Sequence, residues 1–335
     1  MDGSKKTEQM NQPSIAYLDS NYRSILFRGF HFLPENAAEG WVYWLPRYIL
    51  HNTSLKVYFL TNDRELYLLN GDETLHRIES EAIDSIDIFF GRTAGSFDPK
   101  NRLIQSAKLK IVYPLKSSAP ESYQGHSVII VHDDAFIKPL PDHDRGFFYC
   151  DNTKKENFFL YPAALTNLKG QLKFAKRVTR RALGGTKVVF CGTTKNDSYA
   201  EECFSILRRK RIDFEYLKRV SKSDIGDLYR KTRLTLFFSR SDFNPRIFYE
   251  SMACGTPCLL SKEVTIATEL EPLAFRTSNL MMNRNIRRHA TSPDSLKERL
   301  CNTALSLTEE ACYERLFRQV LDRITEPDIH YNRTR

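Results

Sequence analysis

No apolar run in the chain approaches the ~20 residues that a membrane-spanning helix requires. The opening segment MDGSKKTEQMNQPS has no apolar stretch of the kind that directs secretion, so no secretory signal is expected. Seven cysteines are too few and too irregularly spaced for a disulfide framework, and their number is odd. That usage points to a reducing compartment and a cytoplasmic protein. Cys254 and Cys258 flank a Gly-Thr-Pro turn, yet no second Cys or His pair accompanies them. Neither a zinc site nor a local disulfide is expected there. Arg-Gly repeats, zinc-finger spacing and RNA-binding aromatic motifs are also lacking, so no nucleic-acid partner is expected.

What the chain does have is size and positive charge. Its 335 residues suit two domains of ordinary size, and 41% hydrophobic content gives each a core. The net charge is +9, with basic clusters at 176–181 (KRVTRR), 208–211 (RRKR) and 284–288 (RNIRR). Such clusters are either solvated helix faces or contacts for nucleic acid, a phosphorylated substrate or an anionic lipid surface. A loose peripheral contact with an anionic membrane is therefore kept as an expectation.

Residues 1–13 are polar and read as a disordered tail. Apolar runs of strand length follow at 15–18, 25–30, 55–60, 86–90, 109–113 and 128–131. A loop at 29–40 and a helical pattern at 41–50, interrupted by Pro46, stand among them. Strand, Gly-containing loop, helix and strand make a βαβ pattern, so residues 14–140 are expected to form a first α/β domain. Residues 141–157 read as a linker with one small strand at 147–149. A second α/β domain is expected over 158–307. Its strands fall at 158–161, 187–191, 214–217, 234–238 and 258–260, with helices at 171–183, 201–210, 224–231 and 292–307. Residues 308–335 read as a terminal helix and a frayed tail. Regular alternation of strand and helix predicts parallel sheets in both halves.

The most informative stretch is 236–260, LFFSRSDFNPRIFYESMACGTPCLL. An apolar strand leads to a polar loop. Asn244 is suited to cap a helix and Pro245 to occupy its first position. Gly255 supplies a left-handed stop, and Pro257 blocks continuation. The first turn of such a helix offers unpaired N–H groups and a partial positive charge, which suit a phosphate. Asp242 precedes it, and Arg246 and Glu250 lie four apart on one face, where a plain helix ion pair is the simplest reading.

The phrase YESMACGTP, with Asp242 and Glu250 eight positions apart ahead of Met252-Ala253-Cys254-Gly255-Thr256-Pro257, resembles the GT-B glycosyltransferases of the group 1, or family 4, type. FFLYPAALTNLKGQ (158–171) is similar to the segment that opens that family's nucleotide-sugar domain. LYRKTRLTLFFSRS (228–241) and VIIVHDDAFIKPLP (128–141) are weaker matches. The resemblance implies two Rossmann-like domains with parallel sheets facing across a cleft. It implies a transferase that retains anomeric configuration, with a nucleotide diphosphate sugar as donor and no metal or other cofactor. The acceptor would be a glycan, a lipid-linked sugar or a protein, bound mainly by residues 14–140.

Carried over by position, Lys169 would contact the donor diphosphate, Glu250 the ribose hydroxyls, and Asp242 the transferred sugar as the catalytic acidic residue. Backbone N–H groups from Asn244 to Ile247 would receive phosphate or sugar oxygens. The family's usual Arg, five residues before the Lys, is Ala164 here, and Arg246 is expected to replace its charge. Pro245 replaces a loop glycine. These departures also admit a GT-B-shaped binding or scaffold protein that has lost catalysis. His132, followed by Asp133 and Asp134 and preceded by His126, is the candidate acceptor-side base. Asp142-His143-Asp144 imitates an Asp-x-Asp metal motif but lacks a supporting strand pattern.

Overall fold

The computed structural model divides the chain into two compact units, residues 1–132 with 313–335, and residues 133–312. It describes 14–18, 46–47, 50–51, 56–60, 65–79, 83, 86, 88–91, 102–106, 109–112, 128–130, 137, 140–141, 144–194, 196–291, 294–312 and 314–315. The expected tail at 1–13, strand at 25–30 and much of the helical pattern at 41–50 lie outside these residues, as does the terminal chain beyond 315.

In the first unit, β1 (Ser14–Leu18), β2 (Lys56–Leu60), β3 (Leu66–Leu69), β4 (Leu75–Ile78), β5 (Ile88–Gly91), β6 (Leu109–Val112) and β7 (Val128–Ile130) form one sheet. A short helix, α1 (Arg102–Ser106), precedes β6. The strand order is β4-β3-β2-β1-β5-β6-β7. Pairing is parallel from β2 through β7. At the other edge, β2–β3 and β3–β4 are antiparallel, so this sheet is mixed rather than wholly parallel. The hairpin turns at Asn70-Gly71-Asp72-Glu73. Asn70 N–H donates to the Thr74 carbonyl at 2.9 Å, and Glu73 adopts the left-handed region at φ 64°. An Asn-Gly pair is a strong hairpin signal. It was obscured because β4 is a largely exposed edge strand carrying His76 and Arg77.

The main sheet of the second unit has six described strands: β8 (Phe158–Pro162), β9 (Lys187–Cys191), β10 (Phe214–Leu217), β11 (Leu234–Phe237), β13 (Cys258–Ser261) and β15 (Phe275–Thr277). Their order is β10-β9-β8-β11-β13-β15, and every pairing is parallel. Two-residue strands β12 (Asp242–Phe243) and β14 (Val264–Thr265) pair separately. The helices are α2 (Gln171–Arg177), α3 (Arg180–Leu183), α4 (Asp197–Arg209), α5 (Lys222–Lys231), α6 (Arg246–Ala253), α7 (Met282–His289) and α8 (Asp294–Ser306). β8, β11 and β13 are buried along their whole length, as continuous apolar runs in a parallel sheet demand. Aromatic rings fill the layer between sheet and helices. Tyr161 stacks on Phe190 with centroids 5.6 Å apart, and Phe174 stacks on Phe238 at 5.5 Å.

Three local expectations are corrected. The helix expected at 171–183 is two helices, because Val178 is extended and the Thr179 side chain caps the second. The Lys210 ammonium takes the carbonyls of Ala175, Lys176 and Val178 at 2.7–3.0 Å, stabilising the break. The helix expected from 201 begins at Asp197, with Asn196 as its cap. Residues 147–149 are not a strand: the Asp144 carbonyl accepts from the N–H groups of Phe147 and Phe148, which closes a turn. Cys150 and Cys301 form a disulfide, S–S 2.07 Å, which the odd cysteine count did not suggest. Gly255 lies against it. At φ 63°, a Cβ there would stand 2.8–2.9 Å from both sulfurs.

Lys155 donates to Thr256 Oγ1 at 2.6 Å. Burial, with the nearby Lys297 charge, pulls its ammonium pKa down from 10.5 to about 8. Between those two values the unfolded chain binds the extra proton, so stability rises with pH across that window. Lys155→Met removes the buried charge and is expected to flatten that rise. At neutral pH it is expected to stabilise the protein by about 1–2 kcal/mol. Urea melts across pH test this, and an unchanged slope in the variant would reject it.

Candidate functional site

In the second unit, chain order runs outward from β8 through β9 and β10, then returns to β11 and proceeds the other way. The reversal lies between β8 and β11. In open α/β sheets the crevice beyond the carboxyl ends of such strands receives ligands. Two loops leave there: 163–170 after β8, carrying Lys169, and 238–241 after β11, leading to Asp242 of β12.

The two loops are tied together by backbone. The Tyr161 hydroxyl donates to the Lys169 carbonyl at 2.7 Å and accepts from Phe238 N–H at 3.1 Å. Arg240 N–H donates to the Leu168 carbonyl at 2.8 Å, and Ser239 Oγ to the same oxygen at 3.0 Å. Gln171, fully buried, donates from Nε2 to the carbonyls of Ala163 and Ala164 at 3.2 and 2.9 Å. Gly170 makes the approach possible. Its φ is +79°, and a Cβ would lie 2.1 Å from the Phe238 carbonyl oxygen. The result brings Lys169 Nζ into an ion pair with Asp242 Oδ2, across a sequence separation of 73. The ammonium also stands 5.4 Å from the Phe237 ring centroid. β12 holds Asp242 in register with Val264 of β14.

Asn244 does not cap the following helix. Pro245 is the N-cap and makes no side-chain cap bond. Asn244 is buried with φ 43°, and its Oδ1 accepts from Ala267 N–H at 2.8 Å and the Tyr249 hydroxyl at 3.0 Å. Its own N–H donates to the Thr265 carbonyl at 2.7 Å, so it is committed to β14 rather than directed to a ligand. Tertiary contacts from 265 and 267 have overridden the local capping preference. The N–H groups of Arg246 and Ile247, in the first turn, have no intrahelical acceptor and leave that end polar. At the other end the stop is as expected. Gly255 N–H donates to Met252 O and Thr256 N–H to Ser251 O, both at 2.9 Å, completing a Schellman motif.

On the helix face, Arg246 pairs with Glu250 at 2.9 Å and with Asp144. Asp144 is fully buried and also accepts from Lys222 Nζ at 2.8 Å. Glu250 Oε2 accepts from the Tyr229 hydroxyl at 2.9 Å. Burial raises the Glu250 pKa, against the opposing pull of Arg246 and Tyr229. Burial and the Glu250 charge together push the Tyr229 phenol far up. The guanidinium expected to replace the missing cation at Ala164 is thus engaged by two carboxylates. Asp144, Lys222, Tyr229, Tyr161 and Gln171 were not foreseen as site residues. Tyr229 lies within the LYRKTRLTLFFSRS segment, and Tyr161 and Gln171 within FFLYPAALTNLKGQ, which was the available signal for these three.

His132, His126, Asp142 and His143 lie outside the described residues. Cys254 and Cys258 are buried free thiols, the former pushed up to about 12 by burial. Among the described residues no group of three or more His, Cys, Asp or Glu side chains could hold a metal ion.

Residues 150–275 match the family model of glycosyl transferases group 1. No curated protein matches the chain in sequence. Among solved structures, AviGT4, a glycosyltransferase involved in avilamycin A biosynthesis, is 15% identical with a TM-score of 0.57, covering 94% of this chain and 98% of its own. The Anabaena protein HepE in complex with UDP and glucose is 12% identical with a TM-score of 0.52, covering 93% and 100%. Sucrose-phosphate synthase from Thermosynechococcus elongatus is 12% identical with a TM-score of 0.55, covering 93% and 100%. At these identities the likeness is one of fold, the α/β GT-B class, and the matched segment contains Lys169, Asp242, Arg246 and Glu250.

Proposed function

We propose that the protein transfers a sugar from a nucleotide diphosphate sugar to a hydroxyl acceptor on a glycan, a lipid-linked sugar or a protein, with retention and without a metal. The observation that carries this is the Lys169–Asp242 pair at the strand-order reversal, beside the helix that bears Glu250. Transfer requires that negative charge building on the leaving diphosphate be stabilised. In this reading Lys169 leaves Asp242 to meet the diphosphate, and the first-turn N–H groups of Arg246 and Ile247 meet a further phosphate or sugar oxygen. Asp242, released by Lys169, orients the transferred sugar and faces the oxocarbenium-like centre. Glu250 accepts from ribose hydroxyls while Arg246 and Tyr229 hold it in place. UDP binding by HepE supports the nucleotide part of the reading.

A panel of UDP- and GDP-sugars, read by calorimetry and donor hydrolysis, tests this. Glu250→Ala is expected to weaken donor binding about tenfold through loss of a charge-assisted contact to ribose. One observation favours the second reading, a catalytically inactive binding or scaffold protein. Arg246 is held by Asp144 and Glu250, and position 164 carries no charge, so of these three positions Lys169 alone offers the diphosphate a positive side chain. No binding of any nucleotide sugar would select that reading.

A further inference from the structure

The arginines of the cluster 284–288 form the exposed face of α7, a helix whose inward side chains, Met282 and Ile286, are buried. Arg284, Arg287 and Arg288 all face water. The preceding loop ends in Leu280, 89% exposed, and Met281, 38% exposed. Leu280 is the most exposed large hydrophobic side chain among the described residues. Met281 already has helical backbone, so Met281, Arg284 and Arg288 follow one stripe at intervals of three and four.

A second basic segment is fastened to the same helix. Asn283 Oδ1 accepts from Thr179 N–H at 3.1 Å, and Asn283 Nδ2 donates to the Arg177 carbonyl at 3.0 Å. Arg177, Arg180 and Arg181 are exposed beside this clasp. Among the described residues none of these six arginines pairs with an acidic side chain. The third cluster differs: Arg208 is paired with Glu201, and the Lys210 ammonium is spent on three backbone carbonyls.

We propose that this face of the second unit, α7 with the 177–181 segment, docks on an anionic lipid surface, with Leu280 and Met281 entering the headgroup layer and the arginines contacting lipid phosphates. Arginine forks suit phosphate, and unpaired surface arginines next to an exposed aliphatic pair match a bilayer interface in both charge and polarity. A nucleic acid fits less well. It would use rings for stacking, and the one ring on α7, His289, is stacked on Phe275 with centroids 3.6 Å apart. No helix among the described residues is long and apolar enough to cross a membrane.

Vesicle flotation tests the assignment with the full chain. Vesicles of phosphatidylcholine with phosphatidylglycerol are expected to carry the protein at low salt and to release it as salt rises, and pure phosphatidylcholine is expected not to carry it. Arg284→Glu with Arg288→Glu should weaken binding at least about tenfold. Leu280→Asp should weaken it severalfold while the salt dependence persists. Lys218→Glu with Arg219→Glu, which removes equal charge after β10 at the sheet edge opposite β15, should leave binding unchanged, and circular dichroism confirms that each variant is folded. Equal binding to neutral vesicles, or equal loss from the 218–219 variant, overturns the proposal. Tight salt-sensitive RNA binding with no vesicle binding also overturns it, and transfers the patch to nucleic acid.

Discussion

Lys169→Ala is expected to lower kcat for the proposed sugar transfer by roughly 10²–10³-fold, the loss typical when a preorganised group facing developing negative charge is removed. The ammonium is placed by an arrangement that the substitution leaves intact. Its carbonyl accepts from Tyr161, and Gly170 lets the loop touch the Phe238 carbonyl. The backbone of the loop is therefore expected to hold, and the defect to be chemical. Asp242 loses its partner but is 18% exposed, so hydration limits the cost to stability to about 1 kcal/mol. If Lys169 meets the diphosphate in the transition state more than in the ground state, kcat falls further than KM rises. Lys169→Arg is not expected to restore the rate, because a planar fork cannot take the place of a compact ammonium packed on Phe237. Steady-state kinetics with the preferred donor decide it. A kcat within about threefold of wild type would remove Lys169 from the reaction.

How much of this was legible beforehand depended on the range of the forces. Buried parallel strands announce themselves as short, largely apolar runs, as FFLYP, KVVFC and LTLF do. The Gly255 stop is set within five residues, and it stands as read. Residues whose roles come from distant partners were not legible. Asn244 satisfies every local rule for an N-cap, yet Ala267 and Tyr249 claim its side chain and Thr265 its N–H. Asp144 sits in what looked like a chance Asp-His-Asp triplet, and its meaning lies in Lys222 and Arg246, both far along the chain. The β3–β4 hairpin is a different case. Its Asn-Gly turn was readable, but the edge strand after it is polar and does not display an apolar face.

Asp144→Ala is expected to destabilise the second unit by about 2–4 kcal/mol, the cost of breaking a buried ion pair reduced for partners that keep other contacts. The carboxylate is fully buried, so both of its cations are held by it against desolvation. Lys222 is 44% exposed and can turn to water, whereas Arg246 is 25% exposed and retains Glu250. The loss extends to the turn at 144–148, which the main-chain carbonyl still closes in the variant, because the side chain pins that turn to α5 and α6. Asp144→Asn preserves size and one acceptor, and is expected to cost about half as much. Its more informative readout is donor affinity. In the wild type two carboxylates neutralise Arg246, and the substitution removes one of them without touching Glu250. The positive potential at the start of α6 therefore increases, and affinity for a nucleoside diphosphate is expected to rise about two- to fivefold at low salt. Urea midpoints and calorimetry with UDP and GDP give both numbers. Stability lost with affinity unchanged would make Asp144 and Arg246 a purely structural clamp, and would leave Lys169 and the helix N-terminus to hold the phosphates.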